Sequence, residues 1–486
     1  MIGCDSFSID LRKWRQIVAA VIANLAAVTG GMLSSWISPL GPRLTEPDTP
    51  VGTEPITESE ISILSSATGL TSLFALIFYA LSAGKISTKV QAWIIAISGI
   101  GGWLLILFAQ NFYYLLIARI LAGVVCGLTF SMMPVYVTEI AEDSIRGALG
   151  SLLSFGINIG GFLSFILGAT LNYHTFAVCG LIVPVMFIVG FVFLPESPAY
   201  FMRKGFIDNA TRSLMWLRNN DQTVVDRELK LLKKQFTSDS VKIGGIKDLF
   251  RNRGTIKTLM ISLTLYAGQH FGGYAIIFSY TGMIFEKANR GSVAVSADDS
   301  LLVIAGIQII GSLIPTFTMD HLGRRKLIIS SCLGITTCHV AFGIYLLLQS
   351  RGYDLSSVAW IPLVAVSGFG VVYCAGLGPG TSIVTSECFG PDIVSLGISI
   401  SLAAEFLSNF FTTLAFPFVS SQFGMHVSFF ILAACPVVTM TIIFCILPET
   451  KGRSKVAIAQ QLNCQEKEDD DNAVNLNDNG IGKNAL

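Results

Sequence analysis

Apolar residues run along this chain in long blocks, and short polar segments punctuate them. A helix needs about 20 mostly apolar residues to cross a bilayer. Twelve blocks meet that length: Ile17–Trp36, Ile61–Ser82, Gln91–Ala109, Phe112–Val137, Gly147–Leu171, Thr175–Leu194, Ile256–Thr281, Ser300–Met319, Leu327–Leu348, Val358–Thr385, Ile393–Val419 and Gly424–Leu447. The pattern therefore predicts an all-α protein with twelve transmembrane helices. The first block is too long and too internally polar for a cleaved leader, and no small-residue cleavage site follows it, so it is read as a retained span.

Composition sharpens this. Of 486 residues, 52% are apolar and 13% charged, about half the charge of a soluble domain, and the mean hydropathy is +0.65. The 32 basic and 32 acidic residues cancel, which removes any electrostatic case for nucleic acid as a partner. The ten cysteines are scattered and form no CxxC pair, so neither a disulfide framework nor a zinc site is expected. No nucleophile–base pair, metal cluster or nucleotide loop is visible. The glycine pairs Gly30-Gly31, Gly101-Gly102, Gly160-Gly161 and Gly272-Gly273 lack the strand and the Lys-Ser/Thr of a phosphate loop, and in membranes small residues let helices approach. An enzyme is not expected, nor any cofactor or metal; the bilayer is the expected environment.

Charge then orients the spans, because Lys and Arg are retained on the cytoplasmic side. Arg12, Lys13 and Arg15 precede the first block, Glu196–Lys257 holds 13 basic against 7 acidic residues, and Arg324, Arg325 and Lys326 fill one short loop. The loop Ile37–Glu60 has one Arg and five acids. Both termini and the central loop are thus expected in the cytoplasm, and the triplet Asn209-Ala210-Thr211 is read as a chance glycosylation match. The central loop mixes charge with Leu214, Trp216, Leu217, Leu229 and Leu232, which predicts short amphipathic helices on the inner membrane surface. The tail, with Glu466–Asp471 and an Asn-rich end, reads as disordered.

The same signals recur about 250 residues apart. Pro195-Glu196-Ser197-Pro198 closes the sixth block and Pro448-Glu449-Thr450-Lys451-Gly452-Arg453 the twelfth, while Glu139 and Glu387 end the fourth and tenth. The expected organisation is an N-terminal six-helix bundle (1–200), a cytoplasmic loop (201–255), a C-terminal six-helix bundle (256–455) and a tail (456–486). Parallel six-helix halves around a midplane site describe a rocking transporter.

Taken with Arg119-xxx-Gly123-xxx-Gly127, Pro134-Val135-Tyr136-Val137-Thr138-Glu139-Ile140-Ala141, Arg146-Gly147 and Asp320-xx-Gly323-Arg324-Arg325, these motifs make the chain resemble the sugar-porter family of the major facilitator superfamily. Ser35-Trp36-Ile37-Ser38-Pro39 with Ile56-Thr57-Glu58-Ser59-Glu60 further resembles insect facilitated trehalose transporters. The resemblance implies that Glu139, Arg146, Glu196, Asp320, Arg324, Arg325, Glu387 and Glu449 act as conformational latches on one face; helix capping and topological anchoring by the same charges is the competing reading. The chain departs from the family pattern in two places. Gly84-Lys85-Ile86-Ser87-Thr88-Lys89-Val90 has no acid and no double Arg, and Gly390-Pro391 is followed by Asp392 instead of Arg. One latch on each half is therefore expected to be weakened, giving a looser gate or a compensation elsewhere.

A sugar site needs groups that both donate and accept hydrogen bonds, and an aromatic platform. Polar residues inside spans should face the bundle interior. Gln269-His270-Phe271-Gly272-Gly273-Tyr274-Ala275 resembles the family's Gln-Gln-x-Ser-Gly-x-Asn, with His270 for the second Gln and Ala275 for the Asn. Gln308 stands where the family has Asn, Asn409 matches a family Asn, Phe406 replaces a common Trp, and Ser154 replaces a Gln. Glu405, in mid-span, would cost about 2.5–3.5 kcal/mol in lipid, so a cavity or a partner is required. His270 is the candidate partner. Proton linkage or selection of a substrate with a cation or extra donors is one reading of Glu405; a protonated, hydrogen-bonded acid between helices is the other. Interhelical hydrogen bonding likewise competes for Gln269 and Gln308. His339 is read as structural, and Arg119 as packed against carbonyls or an acid. The function expected is transport of a neutral sugar, trehalose or a hexose, by facilitated alternating access at the plasma membrane. A proton-coupled or non-sugar porter of the same fold and a non-transporting sugar sensor remain open.

Overall fold

The computed structural model describes residues 13–82, 84–237, 246–288, 297–390, 393–451, 453, 457–458 and 460–462, and among them it is helical throughout with no strand. The first half comprises α1 (Trp14–Ser35), α2 (Ile37–Thr45), α3 (Glu58–Ser82), α4 (Thr88–Leu107), α5 (Phe112–Ile140), α6 (Asp143–Thr170) and α7 (Tyr173–Phe193). The short α8 (Pro198–Arg203), α9 (Ile207–Leu217) and α10 (Gln222–Thr237) follow. The second half comprises α11 (Arg253–Phe271), α12 (Tyr274–Ala288), α13 (Ala297–Leu322), α14 (Arg324–Ser350), α15 (Ile361–Val372), α16 (Gly378–Cys388), α17 (Val394–Phe423) and α18 (Met425–Ile446). Ten helical stretches are long and apolar enough to cross a membrane. The other two apolar blocks are the α11–α12 pair and α13.

Three spans are not the continuous helices that the apolar pattern predicts. The first extends past Trp36 as α2, so the loop begins at Glu46 rather than Ile37; Pro39 falls in its first turn, where no intrahelical N–H is required. The seventh breaks at Gly272-Gly273. The tenth widens into a π-turn at Tyr373–Leu377 between α15 and α16. Hydropathy cannot register these breaks, because glycine and tyrosine keep the block apolar.

Large side chains such as Leu81, Phe193 and Phe444 lie exposed on the bundle surface, as lipid-facing residues do. Inside, helices meet through glycine. A Cβ at Gly31 would lie 2.3 Å from the Ile157 carbonyl oxygen and one at Gly160 2.2 Å from that of Val28, which brings α1 and α6 backbone to backbone. The halves meet through α3 against α17, α6 against α13 and α2 against α12.

The two ends of this seam differ. At the end away from the basic N-terminus, a Cβ on Gly282 would sit 2.1 Å from the Ser38 carbonyl oxygen. There Ser62 Oγ donates to the Leu414 carbonyl at 2.9 Å, and Lys287 Nζ lies 2.7 Å from Glu58 Oε1. At the basic end, a Cβ on Gly147 or Gly150 of α6 would touch nothing within 4 Å, and Ser151 and Ser154 are exposed. The bundle is closed at one end and open along α6 at the other.

The amphipathic helices of the central loop form, and their apolar face packs on the first half: Ala210, Leu214 and Leu217 of α9 are fully buried. Arg15 donates to the Trp216 carbonyl at 3.1 Å, and Gln16 donates to Glu142 at 2.9 Å. Residues 463–486 of the tail, and Pro391-Asp392, lie outside the described residues.

Candidate functional site

The site is built around the break in the seventh span. Gly273 has φ +97°, a conformation that glycine adopts without strain, and it turns the chain from α11 into α12. A broken helix leaves carbonyls without partners, which a membrane interior cannot hydrate. His339 of α14 answers for one of them, its Nε2 lying 2.9 Å from the Gly272 carbonyl oxygen. Its ring stacks on Phe369 with centroids 5.1 Å apart. His339 is thus tied to the break as a structural partner.

Four of the polar residues singled out above gather here. Gln269 is buried, and its Oε1 accepts a 2.6 Å hydrogen bond from the Tyr373 hydroxyl in the π-turn. His270 Nε2 lies 3.4 Å from Glu405 Oε1, linking α11 to α17, while its Nδ1 is buried without a partner among the described residues. Tyr274, the first residue of α12, stacks on Tyr373 at 4.6 Å and 19°. Gln308 of α13 lies against Gly370, where a Cβ would come within 3.0 Å of its Cγ; Gly370 is one turn before Tyr373.

Asn409 lies one turn beyond Glu405 on the same face of α17. Ser154 is not in contact with this group. It sits on α6 seven residues, or about 10 Å, toward the open end from Gly161, whose Cβ would meet Phe278 of α12 at 2.8 Å. Arg119 is fully buried and engages carbonyls: Nε with Leu64 at 2.8 Å, and Nη1 with Leu33 at 2.7 Å and Ser34 at 3.1 Å. It clamps the end of α1 to α3, and among the described residues no carboxylate pairs with it.

The charged clusters at the basic end follow the internal repeat. Glu196 accepts from the backbone N–H groups of Thr88 and Lys89, both at 3.1 Å, capping the N-terminus of α4 where the helix dipole favours an anion. Glu449 does the same for α14, accepting from the Arg324 N–H at 2.9 Å. Lys89 Nζ reaches the Val192 carbonyl, and Arg325 reaches that of Phe444.

Glu139 pairs with Arg203 of α8 and accepts from Ser197, whereas Glu387 pairs with Arg324 at 3.4 Å. The guanidinium that the α3–α4 loop lacks is therefore delivered to Glu139 by α8. Arg146 reaches the Ala141 carbonyl at 3.5 Å. The side chain of Asp320 lies outside the described residues. The Glu387–Arg324 pair joins groups within the second half, whereas Glu139–Arg203 ties the first half to the central loop.

Residues 8–462 match the family described as sugar (and other) transporter. The chain belongs to that family. It is 27% identical over 451 residues to "Facilitated trehalose transporter Tret1" of Bombyx mori, covering 92% of this chain and 87% of that one. It is equally identical to the Anopheles gambiae protein of the same name, of which it spans 56%. Among solved structures, the inward open conformation of the xylose transporter XylE from E. coli superposes with a TM-score of 0.72 at 18% identity, covering 92% of this chain and 99% of that one. The fold is thus the major facilitator fold, with twelve spans in two six-helix halves.

In this sugar transporter the sequence reading missed four groups. Tyr274 and Tyr373 sit in apolar runs and look like packing residues. Arg203 lies one turn past a recognised motif, at a position to which that motif draws no attention. Arg218 is buried in the central loop, 2.8 Å from Glu228 and 3.6 Å from Glu142, and only its place in a run of charge hinted at it.

Proposed function

We propose that this transporter carries a neutral sugar, trehalose or a hexose, down its gradient by alternating access. The basic end and both termini then lie in the cytoplasm of a plasma-membrane protein, and 1–200 and 256–455 are the rocking halves. One observation carries this reading. At a glycine break within the second half, Gln269, His270, Gln308 and Glu405 gather with two stacked tyrosines, and Asn409 lies one turn beyond Glu405, which supports the donor, acceptor and aromatic inventory a sugar requires. Ser154 would meet the substrate on its way to or from the open end. The trehalose named for the relatives is the first candidate. In an uptake-deficient cell expressing this chain, a panel of radiolabelled sugars should give saturable uptake of trehalose or D-glucose that survives collapse of the proton gradient. Absence of saturable uptake of any sugar on the panel would sink the reading.

The His270–Glu405 contact favours a second reading, proton-linked transport or a substrate with a cationic or donor-rich group. Ionisable residues in mid-span are costly, and where they occur they pair or line a water-filled path and mark ion or substrate routes. Under this reading, sugar added to proteoliposomes changes internal pH, and Glu405→Gln abolishes that change. Wild-type rate and pH response in Glu405→Gln would leave the facilitator reading alone.

A further inference from the structure

A glutamine in a binding site offers a carbonyl oxygen with two lone pairs and two N–H donors. In this site the oxygen is already engaged. The Tyr373 hydroxyl donates to Gln269 Oε1 at 2.6 Å, and both residues are buried, so the amide is held by its carbonyl end. Among the described residues nothing hydrogen-bonds its Nε2. The ring of Tyr373 is itself held, stacked between Phe369 at 5.9 Å and Tyr274 at 4.6 Å. Tyr274 is held in turn between Tyr373 and Phe278, the latter at 4.6 Å, while its hydroxyl has no protein partner among the described residues.

Taking the chain as a sugar porter, we propose that these two tyrosines determine which hydrogen-bond role a sugar oxygen plays in the site. Tyr373 is a positioning residue: by holding the carbonyl end of Gln269 through one lone pair it fixes the amide's orientation and turns its N–H donors toward the substrate. Tyr274 is a binding residue that presents the adjoining free hydroxyl, next to Ala275 where this chain has no amide. A sugar oxygen seated against Gln269 is then read as an acceptor only. Fluorine in place of that hydroxyl keeps a weak acceptor and loses the donor, whereas hydrogen loses both. Tolerance of fluorine with rejection of hydrogen at one ring position is the signature of such a site.

The test uses the full-length chain in an uptake-deficient cell, with labelled D-glucose or trehalose as tracer and the 2-, 3-, 4- and 6-deoxy and deoxyfluoro glucoses as competitors, at matched surface expression. The wild-type protein should show one position where the fluoro analogue competes within about two-fold of the parent and the deoxy analogue about ten-fold less well. Tyr373→Phe keeps the ring stack but frees the amide to turn, and should erase that difference. Tyr274→Phe should raise KM about three- to ten-fold. Gln269→Glu keeps an acceptor for Tyr373 but removes the donors, and should weaken uptake more than ten-fold even if a tyrosine variant fails to reach the surface. Wild-type KM in Tyr274→Phe, or an unchanged fluoro-to-deoxy pattern in Tyr373→Phe, overturns the proposal and leaves the sugar-porter reading standing. A wild-type protein that takes up no sugar of the panel refutes that reading itself.

Discussion

The two halves repeat one design at the basic end and complete it differently. In each, the carboxylate of a Pro-Glu pair caps the helix that follows a short loop, Glu196 on α4 and Glu449 on α14. In each, a basic residue at the start of that helix reaches the last turn of the half's final span. The partner of the second carboxylate differs. Glu387 takes its guanidinium from Arg324, on the capped helix itself. Glu139 takes Arg203 from α8, because Thr88 stands where Arg324 stands in the other half.

The first half therefore relies on its loop helices, which Arg218 further ties down by donating to the Ile140 carbonyl at 2.9 Å. The second half holds its cluster within its own spans and contains the broken helix, the π-turn and most of the site. A duplicated scaffold keeps the backbone contacts that both copies need, while the side-chain pairings diverge with the work each half does.

The seam between the halves gives the largest expected effect. Gly282→Leu places a side chain against the Ser38 backbone. Overpacking of this kind costs about 1–3 kcal/mol, and toward the upper part of that range, as expected for a Leu driven into backbone, it shifts a two-state balance by ten-fold or more. Transport should fall at least ten-fold with surface expression retained, and a cysteine introduced at Ser62 should become more accessible to reagents added from the Glu58 side. Unchanged accessibility would mean that this contact does not close that end.

The caps come next. Glu196 is buried and accepts from three backbone N–H groups, those of Thr88, Lys89 and Ser197, so Glu196→Ala should destabilise the purified protein by about 2–3 kcal/mol. Glu449→Ala, which loses the N–H groups of Arg324 and Lys451, should cost about 1–2 kcal/mol. Thermal unfolding of both in detergent checks the order, and a larger loss at Glu449 would contradict the ranking.

A smaller effect sharpens the comparison directly. Arg203→Ala should reduce stability by about 1 kcal/mol, since its side chain is 40% exposed and solvent screens the pair. Adding Thr88→Arg should restore most of that loss by giving the first half the arrangement of the second. No rescue in the double variant would mean that α8 does more than supply charge. The smallest change is expected from Lys287→Gln at the closed end. That pair is a third to a half exposed and contributes about 0–1 kcal/mol, so transport should stay within about two-fold of wild type.

The spans were legible because a bilayer imposes a length and a composition that residues such as Tyr173–Phe193 satisfy outright. The recurrence of Glu196 and Glu449 was legible too, with helix capping as one of two readings of it, but not which helix each would cap, because they bind backbone N–H groups that every residue carries. The break at Gly272-Gly273 left a sign in its paired glycines, and the π-turn at Tyr373–Leu377 left one in Gly376-Leu377-Gly378-Pro379, which marks a weak point in the helix but not the form it takes. Gln269, His270 and Glu405 could be picked out as polar residues in lipid-length blocks. Tyr274 and Tyr373 could not, since an aromatic ring in an apolar run carries the same signal whether it packs or binds.

The backbone-tight closure of α2 on α12 also bears on inhibition. Under the alternating access proposed above, a blocker arriving from that side meets a seam with no room for a foreign group, so it engages only molecules that have swung to the other state. Its measured potency would be its intrinsic affinity scaled down by the fraction of carriers in that state. A compound entering along α6 would carry no such handicap, and the ratio of potencies from the two sides would report how the resting population divides.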